Sequence, residues 1–211
     1  LEKMAVLTGN HSDVDHWRNL VRQDKQHIEL MFEQRWQANG HENFFMGPRN
    51  GMLMTTAFWA MRSKYFPREY AERMIHTWAL NRERGFFGEF FPLAMAKKAM
   101  SVFSSADDHS FGYTPDTAYF TLDGMFRQGF PKIASDLTLN HLENYNYHDE
   151  WDMPVAPEAY TRDLSLFGDQ YSNFNAGKIL LYLEGLFGLS YSIPDQTLSI
   201  RDSMPTNWEW M

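Results

Sequence analysis

The 211-residue chain contains no cysteine, which excludes disulfide bonds and thiolate metal sites. It also lacks any apolar run approaching the roughly 20 residues that a membrane-crossing helix requires. Its first ten residues, LEKMAVLTGN, do not form the charged-then-apolar pattern of a signal peptide. We therefore expect a soluble protein, and the compartment stays open between the cytoplasm and an exported form whose signal has been removed.

Motifs for nucleotides and for catalytic metals are missing as well. There is no G-x-G-x-x-G or P-loop pattern, and the eight histidines show no HExxH spacing. The excess of 27 acidic over 19 basic residues gives a net charge of -8, which disfavours a phosphate backbone as partner. The sequence thus predicts no cofactor, no metal and no nucleic acid, and it suits a neutral ligand such as a carbohydrate.

Aromatic residues are what the chain has in excess. They make up 16% of it, as 7 Trp, 10 Tyr and 17 Phe, within a composition that is 44% hydrophobic and 22% charged. This composition favours one globular domain over residues 1–211. Most of the rings must be buried, and the remainder lies in predicted loops. Those loop rings either line a sugar-stacking cleft or fold down onto the core.

Apolar residues at helical spacing predict an all-α fold of seven helices. The first starts at Ser12 as its N-cap, and two later ones follow Phe-Pro pairs whose prolines, Pro67 and Pro131, are 64 residues apart. Matched corners at that period indicate stacked αα-hairpins. A short strand over 197–200 follows the last helix. The predicted helices cover about 12–38, 51–65, 67–85, 93–103, 115–129, 131–142 and 176–187.

A long irregular segment, 149–175, separates the last two predicted helices. It reads DEWDMPVAPEAYTRDLSLFGDQYSNFN and combines carboxylates, prolines and aromatics. Loops of this length inside a compact domain are uncommon and are usually functional. We therefore expect the functional site here.

Two stretches resemble the six-hairpin glycosidases, the toroidal (α/α)6 enzymes that include glucoamylases, trehalases and processing α-glucosidases. The tail GLFGLSYSIPDQTLSIRDSMPTNW is similar to their closing segment, in which the final inner helix ends at a glycine and a short strand follows. The upstream stretch PEAYTRDLSLFGDQYSNFNAGKILL resembles the glucoamylase segment that carries the general base. The resemblance implies a toroid of αα-hairpins and inverting hydrolysis of an oligo- or polysaccharide.

The same resemblance implies catalytic roles for particular carboxylates. The glucoamylase-like alignment assigns the general base to Glu158, whereas the trehalase-like alignment assigns it to Asp169. The general acid is less defined, and its candidates within this chain are Glu89, Asp116 and Asp152. The predicted substrate-binding residues lie in the predicted loops and are Glu89, Phe90, His109, Tyr113, Trp151 and Tyr171.

A six-hairpin toroid at this period needs nearly twice the present length. We therefore expect the chain to be the C-terminal part of a larger barrel, completed by the missing half or by a second copy. One alternative is a helical-repeat domain that binds carbohydrate or protein without catalysis. Another is a polysaccharide lyase on a similar toroid, with Tyr113 and His109 as its base and charge-neutralising pair.

Overall fold

Helices make up most of the described chain, and two small antiparallel sheets accompany them. The computed structural model describes residues 2–40, 54–100, 112–145, 157–161, 164–170, 172–201 and 203. Within these ranges, no helix combines the length and apolarity that crossing a membrane requires. The helices are α1 (Glu2–Leu7), α2 (His11–Ala38), a 3-10 helix (Thr55–Arg62), α3 (Arg68–Met74), α4 (Lys97–Met100), α5 (Pro115–Arg127), α6 (Pro131–Tyr145) and α7 (Ser172–Leu180).

The strands form two separate hairpins. Strand β1 (Pro157–Tyr160) pairs with β2 (Leu166–Gln170), and β3 (Leu189–Ser192) pairs with β4 (Thr197–Ile200). The predicted strand over 197–200 is therefore found, together with a partner strand that the sequence did not reveal. The fold is mostly helical, and its closure into a toroid stays a prediction.

Helix α5 is the central element. It starts at Pro115, where the missing N–H leaves no helical hydrogen bond unmade. Most of its positions are buried, because it contacts the 3-10 helix, α6 and α7. Gly124 lets the backbones approach: a methyl group there would lie 3.0 Å from Met61 Cβ and 3.1 Å from the Phe58 carbonyl oxygen.

Both predicted Phe-Pro corners precede helices, α3 after Pro67 and α6 from Pro131. Arg68 joins the two corners. Its guanidinium donates to the carbonyls of Gln128 (2.7 Å) and Gly129 (3.2 Å) and lies 4.5 Å from the centre of the Phe130 ring. The two corners are therefore in direct contact.

Rings hold the long helix α2 to the rest of the molecule. Trp36 stacks on Tyr70 with ring centres 4.4 Å apart, and Phe32 meets Phe66 edge to face at 5.1 Å. These pairs join a core whose fully buried members include Phe58, Trp78, Phe86, Phe91 and Met125.

Three predicted helices differ from the observed ones. Of the apolar stretch 51–65, the described part, from Met54, has only the short 3-10 helix. The next helix ends after one π-helical turn at Ala79 instead of reaching Gly85. It ends there because Asn81 Oδ1 accepts the N–H groups of Glu83 and Arg84, which replaces helical bonding with an Asx turn. Of the predicted helix 93–103, the described part, up to Met100, has only α4.

The starts of two helices, and the structure of the segment between the last two, also differ from the prediction. Helix α2 starts at His11, and Ser12 donates its hydroxyl to Asn10 Oδ1 instead of capping the helix. Helix α7 starts at Ser172 and continues through a π-helical stretch, Leu181–Leu186. The segment 149–175, predicted to be irregular, contains strands β1 and β2. The prediction missed them because strand pairing depends on a partner that the local sequence does not identify.

The close contact at Gly124 generates a stability prediction. Gly124→Leu gains helix propensity of about 1 kcal/mol. It also forces a large side chain against the 3-10 helix, and overpacking of this kind costs roughly 1–3 kcal/mol. We expect a net loss in the free energy of unfolding, measured by urea denaturation.

Asn19→Leu is the control, because Asn19 is exposed on helix α2 and gains propensity with no such contact. It is expected to leave stability unchanged or slightly higher. A Gly124→Leu protein at least as stable as the unmodified chain would show that the two helices are not in contact at this point.

Candidate active site

Glu158 lies in the β1–β2 hairpin, opposite an irregularity in the facing strand. Ala159 pairs with Phe167, but Pro157 pairs with Gln170, so one strand has an extra residue between these pairs. That extra residue is on β2, where Gly168 and Asp169 together stand opposite Glu158. Gly168 has a φ of 76°, as the first residue of a glycine β-bulge requires. The bulge therefore brings the two rival carboxylate positions into register.

The Glu158 side chain lies over Gly168. A methyl group built on Gly168 would have three Glu158 atoms, Oε2, Cδ and Cβ, within 3 Å. Glu158 is half-buried, whereas Ala159 and Tyr160 beside it are buried and Gly168 is exposed. The Glu158 side chain is therefore partly exposed, next to two buried residues of the same strand.

Backbone bonds attach this hairpin to the start of helix α5. Tyr113 and Tyr160 exchange two hydrogen bonds, Tyr113 N–H to the Tyr160 carbonyl at 2.8 Å and Tyr160 N–H to the Tyr113 carbonyl at 2.9 Å. Asp116 lies in the first turn of α5, three residues after Tyr113, and its Oδ1 accepts the Thr117 N–H at 2.7 Å. The hairpin and the segment that leads into α5 are therefore joined by backbone hydrogen bonds.

The Tyr113 side chain extends this connection to the loop 85–96. Its hydroxyl oxygen accepts the Glu89 N–H at 2.9 Å, and its ring stacks on Phe90 with centres 3.9 Å apart. Burial raises the pKa of Tyr113 above its ordinary value. The Glu89 side chain is exposed on this loop.

Phe90 and Tyr113 were predicted to stack on a sugar, and their positions require a correction. Each is only 1% exposed, and each ring covers a face of the other. A ligand has no access to these rings, so they support the site from within. Ring content and loop position did not reveal this, because stacking on a ligand and stacking on a neighbouring ring use the same residue types.

Helix α6 anchors the same loop through two polar residues that sequence reasoning missed. Asn140 Oδ1 accepts the Phe91 N–H at 2.9 Å, and His141 Nδ1 lies 3.0 Å from the Phe91 carbonyl oxygen. Because a carbonyl only accepts, His141 Nδ1 carries the proton in this arrangement. Both backbone groups of Phe91 are therefore paired with α6.

His141 is fully buried and close enough to Lys178 of α7 to be influenced by its charge. Burial, and then the Lys178 charge, lowers the pKa of His141 to about 3, although its bond to Phe91 opposes this shift. Lys178 is 8% exposed, and burial lowers its pKa to about 8. The signal that could have identified Lys178 is a cation within the mostly apolar stretch AGKILLYLEGLF, whose one other charged residue is Glu184.

Four of the five predicted catalytic positions lie within the described residues. Asp169 stands opposite Glu158 in the hairpin, as judged from its backbone, Asp116 lies on the helix next to the hairpin, and the Glu89 N–H bonds to Tyr113. The fifth, Asp152, lies outside the described residues. So do three predicted substrate-binding residues, His109, Trp151 and Tyr171.

Comparisons with known proteins identify no family for this chain. No protein-family model matches the chain, and no curated protein matches it either. Within the described ranges, no three His, Asp or Glu side chains cluster so that they could hold a metal ion. Carboxylates such as Glu158 and Asp116 can take up and deliver protons.

The buried histidine predicts acid sensitivity. Between pH 6.5 and about 3 the unfolded chain binds a proton at His141 that the folded chain does not, so stability falls as the pH falls. We expect this residue to lower the free energy of unfolding by roughly 3 kcal/mol between pH 6.5 and 4. Urea denaturation at both pH values measures it.

The comparison that isolates His141 uses two variants. His141→Gln is expected to lose less stability than the unmodified chain over this pH interval. His27→Gln, at an exposed position on α2, is expected to leave the difference unchanged. Equal pH dependence in His141→Gln and the unmodified chain would contradict the buried, neutral state of His141.

Proposed function

We propose that this chain is a glycoside hydrolase domain acting on an oligo- or polysaccharide, with Glu158 as general base of an inverting reaction. The observation that supports it most is the setting of Glu158. Its half-buried carboxylate lies on a bulged hairpin that two backbone bonds attach to the N-terminus of α5. A general base needs this combination of access to a ligand and a fixed position.

In this proposal Glu158 takes a proton from a water molecule as the water oxygen bonds to the anomeric carbon. The bond between that carbon and the leaving oxygen breaks, and a carboxylic acid protonates the leaving oxygen. The anomeric configuration inverts because water and leaving group occupy opposite faces, which requires carboxyl groups about 6.5–9.5 Å apart. Only this glycosidic bond is cleaved, and the sugar rings stay intact.

Several carboxyls remain candidates for the two roles. Asp169 is the alternative base, since the bulge places it opposite Glu158. Glu89 and Asp116 are candidates for the acid. The Glu89 N–H bonds to the Tyr113 hydroxyl, and Asp116 lies in the helix that begins two residues after Tyr113. Asp152 remains a candidate acid on sequence alone.

Exposed apolar surface supports the proposal that further hairpins of the same barrel complete the domain. Ile179, Leu183 and Phe187 follow one another at helical spacing along α7 and its continuation, and each is more than 40% exposed. In the β3–β4 hairpin, Tyr191 pairs with Leu198, and these are 66% and 64% exposed. Contiguous apolar surface on a protein usually marks an interface.

The same surface favours the second candidate function, a helical-repeat domain that binds a protein partner without catalysis. The lyase alternative has less support. Its base would be Tyr113, but that side chain is 1% exposed and its hydroxyl already accepts the Glu89 N–H. Its partner, His109, lies outside the described residues.

Replacing the proposed base tests the function. Glu158→Gln removes the proton acceptor with almost no change in size, so hydrolysis is expected to fall at least about a hundredfold. The assay is sugar release from a panel of α-glucosides by the whole protein. Asp169→Asn, assayed in parallel, is expected to retain much more activity, because the proposal assigns the base to Glu158 and not to Asp169.

The control is Glu72→Gln, the same change at an exposed position of α3. It should match the unmodified protein. Full activity in Glu158→Gln would refute the assignment, and loss in Asp169→Asn alone would transfer the base to Asp169. An unmodified protein that hydrolyses none of the panel but binds a partner through α7 would favour the second function.

A further inference from the structure

We infer that Gly168 is a positioning residue for the Glu158 carboxylate, an inference that rests on the proposed function. Gly168 has no side chain with which to touch a substrate. Its role follows from the bulge, which turns the β2 backbone, and from the space that it leaves above its Cα. Both properties require glycine here.

The first requirement is conformational. With a φ of 76°, Gly168 lies in the left-handed region, which L-residues with a Cβ rarely adopt. The bulge depends on this value, since a glycine in the left-handed conformation forms its first residue. The consequence is that β2 has two residues opposite Glu158, and the strands remain paired on either side.

The second requirement is steric, and it involves the Glu158 side chain. The three heavy atoms nearest to a Cβ at Gly168 all belong to Glu158, and all lie within 3 Å. Gly168 is exposed, so core packing does not demand a small residue at this position. The empty volume is therefore the volume in which the Glu158 side chain lies.

The other left-handed glycines of the described chain have different neighbours. Gly9 and Gly40 have nothing within 4 Å of a Cβ, so only the backbone conformation favours glycine there. At Gly188 the two nearest atoms belong to the Arg201 backbone, and at Gly129 they belong to the Arg68 guanidinium. Among these five glycines, Gly168 is the one whose nearest neighbour is the carboxylate of the proposed base.

A side chain at residue 168 must therefore move Glu158. The carboxylate would rotate away from β2, or the strands would separate at the bulge, and in both cases its distance to the water would change. Misplacement of a catalytic group by about 1 Å can reduce the rate about a hundredfold. Substrate contacts elsewhere would be unaffected, so kcat should change and KM should not.

The experiment compares Gly168→Ala and Gly168→Asn with Gly9→Ala in the whole protein. Asparagine tolerates the left-handed region better than alanine, but it has the same Cβ. Both changes at residue 168 are expected to lower kcat about 10- to 100-fold, with KM within about twofold of the unmodified value. Gly9→Ala adds backbone strain without a displaced side chain and should retain full activity.

A crystal structure of Gly168→Asn provides a readout that does not depend on activity. The Glu158 carboxylate is expected to move by about 1 Å or more, since the added Cβ occupies its place. An unmoved carboxylate, or an unchanged kcat in Gly168→Asn, would overturn the inference. If Glu158→Gln is fully active, the proposed function fails; if Glu158→Gln is inactive while Gly168→Asn is unimpaired, only the positioning role fails.

Discussion

The buried pairing of Tyr113 with its neighbours is the interaction on which the rest of the site depends. Its backbone exchanges two hydrogen bonds with Tyr160, its hydroxyl accepts the Glu89 N–H, and its ring stacks on Phe90. One residue, 1% exposed, thus connects the β1–β2 hairpin through its backbone and the loop 85–96 through its side chain, directly before helix α5. Because a buried polar group without its partner costs roughly 1–3 kcal/mol, these contacts depend on one another.

A two-stranded hairpin is marginally stable by itself in water. The β1–β2 hairpin gains support from Tyr113, which adds a bridge at Tyr160, two residues from Glu158. That support continues through the loop to α6, where Asn140 and His141 bond to both backbone groups of Phe91. The position of Glu158 is therefore determined by hydrogen bonds and ring packing that extend well beyond its own strand.

The environment distinguishes carboxylates that look alike in the sequence. Asp123, also on α5, is buried and accepts bonds from Arg62 at 2.7 Å and from Arg127 at 2.8 Å. Two arginine partners give Asp123 a structural role in holding α5 to the 3-10 helix. Glu158 is half-buried on a hairpin, where a ligand could reach it. This contrast is the physical basis for proposing Glu158 as a reacting group and Asp123 as a structural link between helices.

The sequence by itself determined most helices, because apolar periodicity and proline corners are local signals; α5, α6 and both Phe-Pro corners were predictable from them. It also singled out Glu158 through a family resemblance. Only the tertiary structure decided that Glu158 faces Gly168 and Asp169, that Phe90 and Tyr113 are interior, and that His141 and Lys178 are buried. These features arise from pairs distant along the chain, whose meeting depends on register and packing that no local pattern encodes.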